Sequence, residues 1–260
     1  MKNIFTKFIL ITSILMGLLL SVSCQKEKLG FDSDFTVDLS KMSDREAFDV
    51  YQSKIAPLHS EGLEHIFKLI QKDHSNMHKI DLLTDQFMET TKIQKIVKEY
   101  KVGFLDESIT KEAQAEAEIS MLNQICFNFV DKIHQASKSP LSVEELKKET
   151  IKVLNDRQFL NLSKERKHVI MVGLSIYEDS YEYWIDNLKR WDDETQPEAA
   201  KLDFWGRLKQ IAKADLAGGV GGAVGGAVVG AFAGGVGAGP GAVGGAVGGA
   251  ISGSVTSALN

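Results

Sequence analysis

The sequence predicts an all-α protein, a helical bundle followed by a Gly-rich helical hairpin. Apolar residues recur every three or four positions across residues 41–196, which is the spacing of a helix face. No stretch of this region alternates in the manner of a strand. The last 45 residues hold 17 of the chain's 23 glycines and no charged side chain, which sets residues 216–260 apart as a second kind of helical segment.

The first 23 residues have the layout of a secretory signal peptide. Two lysines precede an apolar stretch over residues 8–20, and small residues lead to Cys24. The segment Ser-Val-Ser-Cys at 21–24 resembles a bacterial lipobox, which implies that Cys24 is acylated with palmitate-type chains and becomes an anchor. An ordinary cleaved signal with an incidental cysteine, or an uncleaved anchor helix, are the alternatives.

Residues 24–40 are interpreted as a tether. Gln25 follows the cysteine in place of aspartate, and the resemblance to the enteric sorting rule implies the outer membrane. Residues 25–28 are similar to the surface-export signals of Bacteroidetes lipoproteins. We therefore expect an outer-membrane lipoprotein that faces either the periplasm or the cell surface.

The composition of residues 24–215 limits the possible partners. This part of the chain carries 28 basic and 35 acidic side chains, a net charge of −7, which argues against a nucleic-acid partner. Cys126 is the one thiol left once Cys24 is acylated, so no intramolecular disulfide is expected. It shares a helical spacing with Leu122 and Phe129, which favours a buried structural cysteine over a reactive one.

Helix signals divide the bundle domain, residues 41–196, into elements. Capping boxes of the form S-x-x-E begin helices at Ser43 and Ser142, and Pro57 interrupts the first of these helices. The further predicted helices cover residues 60–73, 80–101, 108–136, 142–155 and 163–190. A stripe on the last of them, Tyr177, Tyr181, Trp184, Leu188 and Trp191, is assigned to the core, with a groove for a peptide or glycan as the alternative.

Residues 197–215 are predicted to form an amphipathic interfacial helix. Trp205 lies among the cations Arg207, Lys209 and Lys213, directly before the apolar tail. An indole favours the headgroup zone of a bilayer, and cations there contact water or phosphate. The alternative is a last bundle helix with a solvated basic face.

Glycines in the tail form two rows with a spacing of four residues. The rows are Gly218, Gly222, Gly226, Gly230 and Gly234, and then Gly237, Gly241, Gly245, Gly249 and Gly253. Bulky residues such as Val220 and Val243 accompany each row on a second face. Each glycine costs about 1 kcal/mol relative to alanine in an exposed helix, so such helices are not expected to be stable in water. In hydrocarbon the backbone must close its own hydrogen bonds, and glycine rows let two helices approach closely while valines meet lipid.

The two halves of the tail have the length of membrane-spanning helices. As helices, residues 216–235 would be about 30 Å long and residues 241–258 about 27 Å long, both near the thickness of a bilayer core. Residues 235–239 supply a turn, and Pro240 suits the first turn of a helix. The tail is similar to glycine-zipper segments of bacterial envelope proteins and two-peptide bacteriocins, which implies close helix packing in or on a membrane. The alternatives are a disordered linker, self-association through the glycine rows and, least favoured, a phosphate-binding loop.

Two sequence patterns are compatible with a metal site. Glu165 with His168 and Asp131 with His134 have the Glu-x-x-His type of spacing found in di-iron helical bundles. Two further carboxylates would be needed, and Glu165 lies in a very polar first turn. His74 and His78 also have a one-face spacing but are expected on a surface loop. We therefore predict no metal, no cofactor and no catalytic residue.

The sequence thus favours a non-catalytic, lipid-anchored envelope protein whose tail inserts into a membrane or associates with it. A membrane-active antibacterial toxin, in which the helical domain shields the tail until it reaches its target, is the first alternative. A di-iron type of enzyme is the second. The expected partners are membrane lipid and other copies of the chain, and a protein or glycan partner stays open.

Overall fold

The structure is a computed structural model that describes residues 37–101, 112–136, 141–195, 204–232 and 238–260. The described residues are almost entirely helical, which confirms the predicted all-α helical bundle. They belong to one compact unit, Thr36–Asn260. The predicted signal peptide, Cys24 and most of the tether lie outside the described residues.

Ten α-helices make up most of the described chain. In order they are α1 (Asp44–Val50), α2 (Ala56–Lys72), α3 (Ile80–Met88), α4 (Thr91–Glu99), α5 (Glu112–Ala136), α6 (Val143–Val153), α7 (Arg157–Leu160), α8 (Lys164–Thr195), α9 (Phe204–Phe232) and α10 (Ala238–Leu259). Short 3-10 turns cover Leu39–Lys41 and His74–His78, and one π-helical turn, Tyr51–Ile55, joins α1 to α2. Two strands of two residues, β1 (Val37–Asp38) and β2 (Tyr100–Lys101), pair in parallel. The sequence pattern does not predict that pair.

The helix starts follow local chemistry. Both predicted capping boxes are confirmed, since Ser43 and Ser142 each exchange hydrogen bonds with the glutamate three residues later. Pro57 does not end a helix as expected but lies in the first turn of α2, where its missing N–H costs nothing. The single helix predicted over residues 80–101 is two helices, because Thr90 takes an extended conformation between α3 and α4.

The core is centred on α8, whose aromatic stripe is buried as predicted. Tyr177, Trp184, Leu188 and Trp191 are 0% exposed and Tyr181 is 2% exposed. Trp191 contacts Phe67 of α2, with ring centroids 4.9 Å apart. Cys126 of α5 is also fully buried, in agreement with its helical spacing. The stripe is therefore part of the core.

The glycine-rich tail is helical and belongs to the same compact unit as the bundle. Its first helix, α9, also includes the second half of the predicted interfacial segment, so no break separates residues 204–215 from the glycines. Pro240 lies in the first turn of α10. The sequence predicts the turn over residues 235–239. Residues 235–237 lie outside the described chain, and residues 238 and 239 already belong to α10. Within the described residues α9 and α10 contact each other most extensively, while α9 also contacts α8 and α5, and α10 contacts α2, α3 and α8.

Candidate functional site

The glycine hairpin, defined as α9 and α10 from Asp215 to Leu259, contains a seam in which two backbones touch. The facing pairs along this seam are Gly218 with Gly249, Gly222 with Gly245 and Gly226 with Gly241. A Cβ atom added to Gly218, Gly222, Gly226, Gly245 or Gly249 would overlap a backbone carbonyl of the facing helix. The packing of the helices therefore requires glycine at these positions, as a small-residue helix interface does. Gly234 and Gly237 lie outside the described residues.

The bulky face of the glycine hairpin packs on the bundle. Val220, Val224, Val243, Val247, Ile251 and Val255 are each 0% exposed. The expectation that these side chains face lipid is wrong for this conformation, because helices α2, α3, α5 and α8 cover them. The bulky face needs an apolar environment, which the sequence pattern led us to expect from lipid. In this structure the protein's own core provides that environment.

Two glycines of the bundle receive this bulky face. A Cβ on Gly62 of α2 would overlap the side chain of Ile251, and a Cβ on Gly173 of α8 would lie 2.9 Å from a methyl group of Val220. Glycine in the middle of a helix costs about 1 kcal/mol relative to alanine, so its presence indicates a close contact. Sequence analysis missed this docking surface, although the two isolated mid-helix glycines are the signal that would have found it.

A buried polar cluster joins the start of the hairpin to the bundle. Asp215 of α9 and His59 of α2 are both 0% exposed. The Asp215 Oδ2 atom accepts hydrogen bonds from the Ser180 hydroxyl of α8 and, at 2.9 Å, from the Ser254 hydroxyl of α10. The Nε2 atom of His59 lies 3.5 Å from the same oxygen. Asp215 is the last charged residue of the chain, so this cluster lies where the charge-free tail begins.

Further bonds extend the cluster into α8. The indole N–H of Trp184 donates to Ser254 Oγ at 2.8 Å. On the other side of His59, Nδ1 lies 3.0 Å from Asp179 Oδ2, which also accepts a hydrogen bond from Ser60 at 2.5 Å. Four helices thus meet in one polar cluster, whose two hydrogen-bonded groups are linked by the 3.5 Å contact between His59 Nε2 and Asp215 Oδ2. The sequence pattern indicates only Trp184 among these residues, as a member of the aromatic stripe, because the polar residues are unremarkable on their own helices.

Burial controls the ionisation of this cluster. It raises the pKa of Asp215 from 3.8 to about 6, although His59, Ser180 and Ser254 favour the ionised form. Burial alone would lower the pKa of His59, but the carboxylates of Asp179 and Asp215 outweigh it and leave the pKa above 6.5. The Oδ1 atom of Asp215 has no hydrogen-bond partner among the described residues. Ionised Asp215 is therefore incompletely satisfied in the folded protein.

The cations predicted to anchor the chain at a bilayer surface contact acids of the bundle. Arg207 donates to the buried Asp192 at 2.5 Å and to the Ala258 carbonyl at 3.1 Å. Lys213 donates to Asp131 at 2.7 Å, and Lys209 lies 3.7 Å from the same carboxylate. These contacts lower the pKa of Asp131, chiefly through the bond from Lys213. Trp205, the uncharged residue of the predicted anchor, has an exposed fraction of 44%.

The two histidines of the di-iron hypothesis, His134 and His168, contact different tyrosines. The ring of His134 is 2.5 Å from the Tyr177 hydroxyl, and the ring of His168 is 3.2 Å from the Tyr51 hydroxyl. Burial lowers the pKa of each histidine to about 4, with nearby lysines adding to the effect. Among the residues described, no three His, Cys, Asp or Glu side chains group as a metal ion would require. His74 and His78 are exposed in a 3-10 turn, as expected for surface histidines.

A cleft of about 430 Å³ lies beside the π-helical turn and has an acidic lining. Its carboxylates are Asp49, Glu178, Asp179 and Glu182. Burial raises the pKa of Glu178 to about 7. All four already have partners in the protein, namely Arg45, Gln52, His59 and Lys147 respectively. Each carboxylate of the cleft therefore has one partner in the protein, while the Oε1 atom of Glu178 is buried without a hydrogen-bond partner among the described residues.

Comparison with protein-family models, curated proteins and solved structures gives no match for this chain. The physical properties of the hairpin are thus the main basis for assigning a function. Within the described residues one helix, Pro240–Leu259, is long and apolar enough to cross a membrane, and half of it is buried in the structure. A buried core helix would pass the same test.

Proposed function

We propose that the chain is a non-catalytic bacterial envelope lipoprotein that stores a glycine-zipper hairpin against its own helical bundle and delivers it to a membrane. Acylated Cys24 would hold the protein at the outer membrane. The observation on which the proposal depends is the packing of the hairpin, which has a charge-free apolar face covered by the bundle and an internal seam that does not need the bundle.

The internal seam supports transfer of the hairpin as a unit. Its glycine contacts join α9 to α10, and the atoms nearest to the Cβ positions of Gly218, Gly222 and Gly226 all belong to α10. Two helices that are already paired can move between environments without opening their backbone hydrogen bonds. In hydrocarbon an open backbone group costs several kcal/mol, so a preformed helical pair is the favourable form for insertion.

The covered valine face supports exchange between bundle and lipid. Burial against the bundle and burial in acyl chains both remove apolar surface from water, at about 25 cal/mol per Å². Transfer of the hairpin from the bundle to lipid therefore loses little of this free energy, whereas its release into water would lose all of it. A bilayer or another apolar surface is the environment in which the undocked hairpin is stable.

The covered face also favours a second candidate function, a membrane-active antagonist. A toxin that is made and exported as a soluble fold has to hide its membrane-active part, and here the hairpin is hidden. The two candidates differ in outcome: a passive anchor leaves a bilayer sealed, whereas a toxin makes it leak.

A reversible disulfide between hairpin and bundle tests delivery. The test uses a chain that begins at Gln25, and so has no lipid, with Gly173→Cys and Val220→Cys. The Gly173 Cβ position lies 2.9 Å from the Val220 methyl group whose place a cysteine sulfur would take, which is close enough for a disulfide. We expect the reduced protein to float with liposomes of phosphatidylethanolamine and phosphatidylglycerol, and the oxidised protein to remain unbound. Leakage of a trapped dye from the same liposomes distinguishes toxin from anchor.

The controls are the reduced form of the same protein and the single Gly173→Cys variant treated with oxidant. Equal flotation of oxidised and reduced protein would show that another surface binds lipid. Absence of flotation in both forms and in the unmodified chain would refute delivery of the hairpin.

A further inference from the structure

The Asp215 cluster connects α2 and α8 of the bundle with both helices of the hairpin. His59 comes from α2, and Asp179, Ser180 and Trp184 come from α8. The hairpin itself contributes Asp215 and, from α10, Ser254. Undocking of the hairpin would separate these two residues from all the others, so the cluster is made and broken in the same step as the docking contact.

The charged groups of the cluster do not balance. One imidazole lies between two carboxyl groups, those of Asp179 and Asp215, while α10 contributes only a hydroxyl. With both acids ionised, even a protonated His59 leaves a net negative charge next to the fully buried Asp215. Each proton that leaves makes the buried cluster more negative, and a buried charge without a full set of partners is costly.

The sign of the resulting pH dependence follows from linkage. Asp215 has a pKa near 6 when docked and an ordinary value of 3.8, so the docked state binds its proton more tightly. His59 has a pKa above its ordinary value of 6.5 for the same state. Both groups stabilise docking below their ordinary pKa values, and this stabilisation is lost as the pH rises through the docked values. The window extends from about pH 4 to above pH 6.5.

We infer that the Asp215 cluster is a proton-dependent catch, which holds the hairpin against the bundle in mildly acidic surroundings and loosens as the pH rises. The inference rests on the proposed function and supplies its regulation. It also gives the hairpin a preferred direction of release, from an acidic compartment or surface toward a neutral one.

The direct test compares the pH dependence of stability in solution, without any membrane. Urea unfolding of the chain that begins at Gln25 is measured from about pH 5 to about pH 7.5 for the wild type and for Asp215→Asn, an exchange of equal shape that cannot titrate. The unfolding equilibrium constant of the wild type should rise roughly tenfold more than that of the variant over this interval. Parallel profiles for the two proteins would overturn the inference.

Lys213→Gln is the matched control. It also removes a charged contact between α9 and the bundle, the bond to Asp131, but Lys209 stays near that carboxylate. We expect lower stability at every pH and an unchanged pH profile above about pH 6, because Lys213 also lowers the pKa of His134, which is already well below that pH. A profile flattened as much as that of Asp215→Asn would also overturn the inference.

A second variant keeps the test decisive if Asp215→Asn does not fold. Ser180→Ala retains the titrating carboxyl group but removes a hydroxyl that donates to its ionised form. The midpoint of the pH dependence should move to higher pH, and an unmoved midpoint would contradict the catch.

Liposome flotation over the same pH range separates this inference from the proposed function. Flotation that increases with pH in the wild type and less in Asp215→Asn supports both. If no flotation occurs at any pH, delivery to membranes is refuted, while the urea profiles still decide whether the catch exists.

Discussion

Cys126 lies on α5 with no exposed surface, and burial raises the pKa of its thiol far above the ordinary value of 9.0. A thiol must lose its proton to become a nucleophile or a metal ligand. At this position the thiol stays protonated and shielded, so the residue fills space as a small apolar side chain does.

We expect Cys126 to be inert in the folded protein. In the chain that begins at Gln25 it is the single cysteine, so thiol labelling with dithionitrobenzoate reports on it alone. Labelling should be absent in native buffer and complete in concentrated guanidinium chloride. Leu160→Cys, at a position that is 52% exposed, should label at once in native buffer. Fast native labelling without the added cysteine would contradict the buried assignment.

The pair of Asp131 and His134 shows that a spacing along one helix does not identify the contacts of its side chains. A spacing of three residues places Asp131 and His134 on one helix face, but it does not specify what that face meets. In the fold, Lys213 binds Asp131 and the Tyr177 hydroxyl contacts His134. The neighbouring helices therefore determine the chemistry of both side chains.

Among the elements, the glycine hairpin has two distinct glycine environments. Gly222 lies in the seam, where an added Cβ would overlap the Gly245 carbonyl, whereas an added Cβ on Gly225 would meet nothing within 4 Å. The seam glycines are already engaged inside one chain. Two copies of the chain could therefore associate through the same glycine rows only if the hairpin opened. Self-association and the folded hairpin exclude each other.

Alanine at these two positions should have opposite effects. Gly225→Ala should stabilise the protein by about 1 kcal/mol, because alanine is the better helix former and has room. Gly222→Ala should destabilise it by about 2 kcal/mol, because the two backbones must separate. Urea unfolding of the chain that begins at Gln25 measures both. Equal effects of the two substitutions would exclude the glycine seam as the contact that packs α9 on α10.

At the scale of the whole molecule, the hairpin is both the candidate membrane segment and a part of the core. Ile251 and Val220 occupy the space above Gly62 and Gly173, and the Asp215 cluster closes the base of the contact. The bundle and the hairpin are therefore expected to depend on each other for stability. Removal of the hairpin would expose the apolar faces of α2 and α8 to water.

A chain that ends at Asp215 should consequently lose its cooperative fold. We expect weaker helical circular dichroism, binding of anilinonaphthalene sulfonate and a loss of the thermal transition, as for a protein without packed side chains. Deletion of Asn260 alone, an exposed residue at the end of the chain, is the matched control and should leave the transition unchanged. A cooperative transition in the shorter chain would show that the bundle folds independently.

Much of the secondary structure was predictable because its causes are local. The capping boxes at Ser43 and Ser142, the aromatic stripe on α8 and the burial of Cys126 all follow from spacing along one helix. The β1–β2 pair was not predictable in this way, since it joins residues distant in sequence. The break at Thr90 is local, but the spacing of apolar residues does not indicate it.

The sequence by itself determined the glycine rows and the bulky face that any helix formed by the tail must have, because residues four apart share a helix face in any environment. Only the tertiary structure decided what covers that face. An apolar surface requires the absence of water, a condition that lipid and a protein core satisfy equally well, and nothing local distinguishes them. The same holds for Asp215, which is the last charge of the chain in sequence and becomes a buried member of a polar cluster only when four helices meet around it.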